Sequence, residues 1–285
     1  MAKFPRAWTH MRAGLAAGGF AVLAAGGFAV LAATASSAEP VDVELVLAAD
    51  VSLSMSFEEL KIQRDGYVAA LTHQSVIDAI EDGLHGKIAL AMFEWAGDGS
   101  QYLVVPWTII ASREDTERVA AQISAAPPNS ARRTSISGAM QFAADLLAES
   151  SHTGNRRVVD ISGDGPNNQG SPVAAKRDEL TARGIVINGL PLMTNGGLTS
   201  SFDIRELDGY YANCVIGGPG SFMVPVTEWS QFPEAIRRKL VLELAGTDRA
   251  TPSGLPVVTV QAEPEFDCLI GEKRWLNRSW MWDTR

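Results

Sequence analysis

Between residues 41 and 245, apolar runs of strand length alternate with segments of helical period. No other feature of the chain restricts its fold as tightly. The run "VDVELVLAAD" (41–50) precedes a helical stretch over 56–82, and "KIALAMFEWA" (87–96) and "QYLVVPWTII" (101–110) precede a helix over 112–124. A helix over 136–150 comes next, then a strand in "RRVVDISGDGPNN" (156–168), a helix over 171–184 and the strand "IVINGLPLM" (185–193). Two further apolar segments, "YYANCVI" (210–216) and "SFMVPV" (221–226), lead to a last helix over 228–246. Strands joined through helices form parallel sheets, with both faces covered by the crossover helices. Pro106 lacks an amide proton, so its run belongs at a sheet edge. Ser56 with Glu59, and Ser112 with Asp115, read as capping boxes at two helix starts. The expected domain is 39–245. From 246 to 285 the alternation breaks down into turn residues, a short "PVVTV" and three tryptophans (275, 280, 282). This segment reads as a tail docked on the domain.

Residues 1–38 read as an export signal. Lys3, Arg6 and Arg12 make a basic leader, an uncharged run follows, and Ser36 and Ala38 are the small residues of a cleavage site. The segment "AAGGFAVL" occurs twice in tandem, at 16–23 and 24–31, and stretches the uncharged run to the 21 residues from Ala13 to Ala33. That approaches a membrane-spanning length, so an uncleaved N-terminal anchor is the alternative. Either way the rest of the chain is exported, to a periplasmic or extracellular location. Without the leader, 21 basic residues face 33 acidic ones, a net charge of −12. Such a balance disfavours nucleic acid and anionic membrane surfaces as partners. Cys214 and Cys268 are the two cysteines. In an oxidising compartment a pair without CxxC spacing suggests one disulfide, with two unpaired buried thiols as the other reading. The four histidines have no zinc-ligand spacing.

Ligands of open α/β sheets bind beyond the carboxyl ends of the strands. Three such exits here carry hard oxygen donors. Asp50, Ser52 and Ser54 follow the first strand; Thr134 lies in "RRTSIS" before a helix; Asp164 follows the fourth strand in "DISGDG". Taken singly, each is an ordinary helix cap or turn. Together they make a ligand set for a small hard cation such as Mg²⁺, which takes oxygen octahedrally and keeps waters.

The pattern "DVSLSMS" with "DISGDG", and Thr134 between them, resembles the von Willebrand factor type A family over residues 41–245. "GDGPNNQG" and "IGGPGSFMVPV" are similar to an uncharacterised bacterial branch of that family. The resemblance implies a doubly wound three-layer α/β/α sandwich, its central sheet mostly parallel with one antiparallel edge strand. It implies a metal-ion-dependent adhesion site in which Ser52, Ser54 and Thr134 ligate Mg²⁺ (Mn²⁺ or Ca²⁺ as alternatives). Asp50 and Asp164 would act through water, and the open position would take a carboxylate from a partner protein. Many members have Gly just before the threonine, whereas this chain has Arg132-Arg133-Thr134. A guanidinium there would compete with the metal or help hold an acidic partner; the two arginines read as solvent-exposed. Arg133, together with the loop acids Glu94 and Asp98, is a candidate partner contact.

Two other functions are weighed. A Mg²⁺-dependent hydrolase or phosphoryl-transfer enzyme would use Asp50, but the general acid expected two residues on is Ser52. "ISGDG" is not a nucleophile elbow. A metal-free domain serving as scaffold is the remaining alternative.

Overall fold

The strand Glu39–Asp50 (β1) runs through the middle of the sheet, and its side chains from Val43 to Ala49 are buried on both faces. Val43, Leu45, Leu47 and Ala49 enter one core; Val46 and Ala48 enter the other. This is the period-two alternation of a strand covered on both sides. The coordinates are a computed structural model describing residues 38–194, 204–245, 258–259 and 266–282. The export segment, except for its last residue, lies outside the described residues.

β1 pairs in parallel with Ile88–Trp95 (β2) on one side and with His152–Gly163 (β4) on the other. Gln101–Ile110 (β3), which contains Pro106, is antiparallel to β2 and forms one edge. On the other side follow Ile185–Pro191 (β5), parallel to β4, and the two-residue strands Phe222–Met223 (β6) and Val258–Thr259 (β7). The order is β3-β2-β1-β4-β5-β6-β7. From β1 the chain crosses outward to β2; from β4 it crosses the opposite way to β5. The exits of β1 and β4 therefore diverge at a topological switch point, where such sheets leave a crevice.

Helices Phe57–Leu71 (α1), Gln74–Glu81 (α2), Arg113–Ala125 (α3) and Phe232–Ala245 (α7) pack together over one face. Ile136–Glu149 (α4) and Val173–Ala182 (α5) cover the other, with the short helix Leu207–Tyr210 (α6) and the π-helical turn Tyr211–Val215 that continues it. The fold is the mostly parallel α/β/α sandwich that the alternation and the resemblance imply. One capping box is complete and the other is half formed. The Ser56 hydroxyl accepts from the Glu59 amide, and Glu59 accepts from the Ser56 amide. At the other, the Ser112 hydroxyl accepts from the Asp115 amide, but the Asp115 carboxylate instead takes the Ala111 amide, at 2.9 Å.

Local structure differs from the sequence reading, or adds to it, in three places. The long helix over 56–82 is two, because extended backbone at His73 (ψ 138°) breaks the ladder and His73 Nδ1 caps α2 by accepting from the Ser75 amide at 3.1 Å. "YYANCVI", an apolar segment to which the sequence assigns no element, is helical as far as Val215, and Asn213 Nδ2 donates back to the Gly209 carbonyl at 2.8 Å. The tail carries a helix, Ile270–Trp282 (α8). Among the described residues, no helix is long and apolar enough to cross a membrane.

Candidate metal centre

Asp50 is the last residue of β1 and is fully buried. Its Oδ1 accepts from the Ser52 amide at 2.7 Å, and its carbonyl accepts from Gln63 Nε2 at 2.9 Å. Those two bonds hold the strand exit extended as far as Ser52. The chain then turns, with the Met55 amide donating to the Ser52 carbonyl at 3.0 Å. The turn brings Ser54 Oγ to 2.9 Å from Ser52 Oγ, and Ser54 Oγ donates to Asp164 Oδ1 at 2.9 Å. Asp164 follows Gly163, the end of the neighbouring strand β4. Oxygens from the first and third exits thus meet in one hydrogen-bonded chain.

The second exit is stitched to both. Ala131 forms a bridge with Ser52 through bonds to Val51 and Leu53. The Thr134 amide donates to Asn168 Oδ1 at 3.0 Å, and the Asn168 amide donates to the Thr134 carbonyl at 2.8 Å. Thr134 is buried, 6% exposed. Ser135 caps α4 by accepting from the Gly138 amide at 3.1 Å, which fixes the loop where the helix begins.

Asp50 Oδ2 is buried and has no hydrogen-bond partner among the described residues. Burial pushes the Asp50 carboxyl well above the usual carboxylate range, and the negative charge of Asp164 pushes it further. Space beside that oxygen exists because residue 163 is glycine. A β-carbon there would lie 2.9 Å from Asp50 Oδ2 and 2.9 Å from the Tyr211 hydroxyl. Two carboxylates and several hydroxyls around a buried, unsatisfied oxygen fit a hard divalent cation, which would relieve the desolvation and the like-charge repulsion together. Among the described residues no group of three or more His, Cys, Asp or Glu could hold a metal; two of the three side chains joined here by hydrogen bonds are serines.

Two of the three residues read as partner contacts are placed otherwise. Glu94 is not a loop acid. It lies in β2, is 1% exposed, and accepts from Arg64 Nε at 2.7 Å, Arg64 Nη2 at 2.9 Å and Asn129 Nδ2 at 2.8 Å. A carboxylate so engaged braces the loop after α3 instead of meeting a partner. Arg133 is not a free arginine either: its guanidinium lies 3.1 Å from the centroid of the Trp275 ring. Arg132 is exposed, as read, and so is Asp98, whose amide donates to Gln169 Oε1 at 3.0 Å. Cys214 and Cys268 form the disulfide that one of the two cysteine readings held.

The supporting residues that sequence reasoning left without a role are in "GPNNQG". Asn167 Oδ1 accepts from the Ser137 amide at 3.0 Å, and the Asn167 backbone amide donates to the Tyr210 hydroxyl at 3.1 Å. Gln169 accepts from Ser135 Oγ through its carbonyl at 3.0 Å. A run of amides next to a carboxylate exit was the available signal, since such side chains bond neighbouring loop backbone.

The family model described as "Protein of unknown function (DUF1194)" matches residues 40–248. No curated protein sequence matches the chain. Among solved structures, the chain is similar to the pilus adhesin SpaC from Lactobacillus rhamnosus GG, with a TM-score of 0.54 and 13% identity over 73% of this chain and 31% of that one. It is similar to the vWF domain of the type V pili tip protein Mfa5 from Porphyromonas gingivalis, with a TM-score of 0.50 and 9% identity over 75% of this chain and 98% of that one. Proximal thread matrix protein 1 from the mussel byssus, solved with a zinc-occupied metal-ion-dependent adhesion motif, has a TM-score of 0.49 and 16% identity over 73% of this chain and 48% of that one. The chain spans about half or less of the length of SpaC and of the byssus protein. At these identities the likeness is one of fold, and the fold is that of a von Willebrand factor type A domain.

Proposed function

The chain belongs to the family described as "Protein of unknown function (DUF1194)", and within it we propose a metal-dependent protein-binding module that works outside the cytoplasm. Mg²⁺ is the ion, held directly by Ser52, Ser54 and Thr134 and through water by Asp50 and Asp164. The remaining position takes a carboxylate from a partner protein. The reading is carried by one observation: Ser52, Ser54 and Asp164 meet within hydrogen-bonding distance beside the buried, unpartnered oxygen of Asp50. An ion in that place meets a need the protein alone leaves unmet.

The surroundings support binding to a protein. Leu53 is 58% exposed and Phe57 is 81% exposed, one on each side of Ser54. Apolar side chains at the rim of an ion site add contact area to a carboxylate anchor. Ser52 stands where a phosphoryl-transfer enzyme using Asp50 would need a second acid, which supports binding over catalysis. Export through residues 1–38 is supported by the Cys214–Cys268 disulfide, since such bonds persist in oxidising compartments.

The test is thermal stability with chelator and with added Mg²⁺ or Mn²⁺. An ion at 100 times its dissociation constant stabilises by about 2.7 kcal/mol. Asp50→Ala is expected to stay folded and lose that increment. A wild-type protein indifferent to both ions is a scaffold only. Cross-linked pull-down with and without chelator then identifies the partner.

A further inference from the structure

We propose that helix α8 is a clasp that positions two of the three ion-site loops, through Trp275 on Arg133 and Glu272 on Asn167. The inference rests on the reading of the site given above. It assigns α8, which lies beyond the residues matched by the family model, a part in that site.

Arg133 has φ +78°, and among the described residues it is the one non-glycine residue in the left-handed region. An L side chain is disfavoured there by its own β-carbon, and glycine is the residue that suits such a turn. The conformation is needed, because it turns the chain so that the next residue, Thr134, can exchange hydrogen bonds with the backbone and side chain of Asn168. The stabilisation that holds an arginine in it comes from the tail. The guanidinium packs on the Trp275 ring face at 3.1 Å from the centroid, a cation–π contact.

The start of α8 presses on the third loop. Asn167 Nδ2 donates to Glu272 Oε1 at 2.7 Å, while Asn167 Oδ1 accepts from the Ser137 amide at 3.0 Å. Gly271 is buried against the Asn167 carbonyl, so closely that a β-carbon would sit 2.0 Å from that oxygen. Cys268, two residues before α8, is tied to Cys214 in the π turn. The neighbouring Tyr210 and Tyr211 hydroxyls bond the Asn167 amide and the Gly163 carbonyl. One helix therefore bears on the loop of Thr134 and on the loop of Asp164, and a covalent tether keeps it there.

The experiment uses the full chain and Mn²⁺ alone as probe, titrated calorimetrically. Trp275→Ala is expected to weaken Mn²⁺ binding about tenfold or more, while Trp275→Phe keeps most of the affinity. Adding Arg133→Gly to Trp275→Ala is expected to restore binding, since glycine adopts the left-handed turn without help. Glu272→Ala is the second variant and is expected to weaken binding through the Asn167 side. In metal-free protein, amide exchange at residues 132–136 is expected to quicken in Trp275→Ala and to return towards wild type in the double variant. If wild type binds Mn²⁺ and both Trp275→Ala and Glu272→Ala bind it equally well, the clasp is refuted while the site survives. If wild type binds no Mn²⁺, the metal reading falls; the clasp is then judged by exchange alone, and unchanged protection at 132–136 in Trp275→Ala refutes it.

Discussion

Asp50 is a buried acid at the exit of β1 that the protein's own groups leave partly unsatisfied. It is buried, it faces Asp164, and one of its oxygens has no partner among the described residues. A residue optimised for stability alone would be neutral there. Asp50→Asn keeps the shape and removes the charge, so in chelator it is expected to be more stable than wild type, on the order of 1 kcal/mol. The same variant is expected to gain nothing from added Mg²⁺, because a neutral amide no longer draws a cation. Urea midpoints of both proteins, in chelator and in Mg²⁺, check this; an Asp50→Asn variant weaker than wild type in chelator contradicts it. Asp50, Ser52 and Ser54 are readable from sequence because they lie together on one strand exit. The roles of Glu94 and Arg133 are not, since each is decided by a partner remote in sequence, Arg64 in one case and Trp275 in the other.

At the scale of elements, α7 is fastened to the sheet by a buried polar group. Lys239 Nζ lies 2.6 Å from Asp160 Oδ1 on β4 and 2.5 Å from Glu243 Oε1 one turn along its own helix. Asn188 Nδ2 on β5 donates to the same Glu243 oxygen at 2.9 Å. Two carboxylates thus share one ammonium. Burial, and then the charge of Asp160, raise the Glu243 carboxyl to about 7, against the lowering effect of Lys239 and Asn188. The folded-state value lies above the unfolded one. Glu243 therefore contributes stability that is whole below pH ~4.5 and lost as pH rises through about 7. The buried Asp160 shifts the same way. Unfolding free energies from denaturant curves between pH ~4.5 and ~8 are expected to show wild type losing stability relative to Glu243→Gln as pH rises, by roughly 1–3 kcal/mol in all. A difference flat in pH contradicts this. The helical periods of α3, α4 and α5 are plain in the sequence. The break at His73 and the helical state of "YYANCVI" are not, because both depend on what the segment packs against.

For the whole molecule, the disulfide joins residues 54 apart in sequence and ties α8 to the domain. Closing a loop of that length in the unfolded chain corresponds to about 4 kcal/mol in the chain-entropy model. Reductant is expected to lower the unfolding free energy of wild type, read from denaturant curves, by up to that amount and to leave a Cys214→Ser, Cys268→Ser double variant unmoved. Equal unfolding free energies for wild type with and without reductant contradict it.

The alternation of apolar strands with helices determined the α/β sandwich from sequence alone, since period and length are local properties that burial on both faces imposes on each segment. The three oxygen-bearing exits were readable for the same reason, as they end successive segments. Tertiary structure alone decided that Ser54 reaches Asp164, that Asn168 holds Thr134, and that α8 lies on Arg133. Those contacts join residues whose separation along the chain carries no periodic signal. They exist because a switch point in strand order sets the exits of β1 and β4 side by side, and because a helix near the far end of the chain, next to a disulfide, packs on the neighbouring loops.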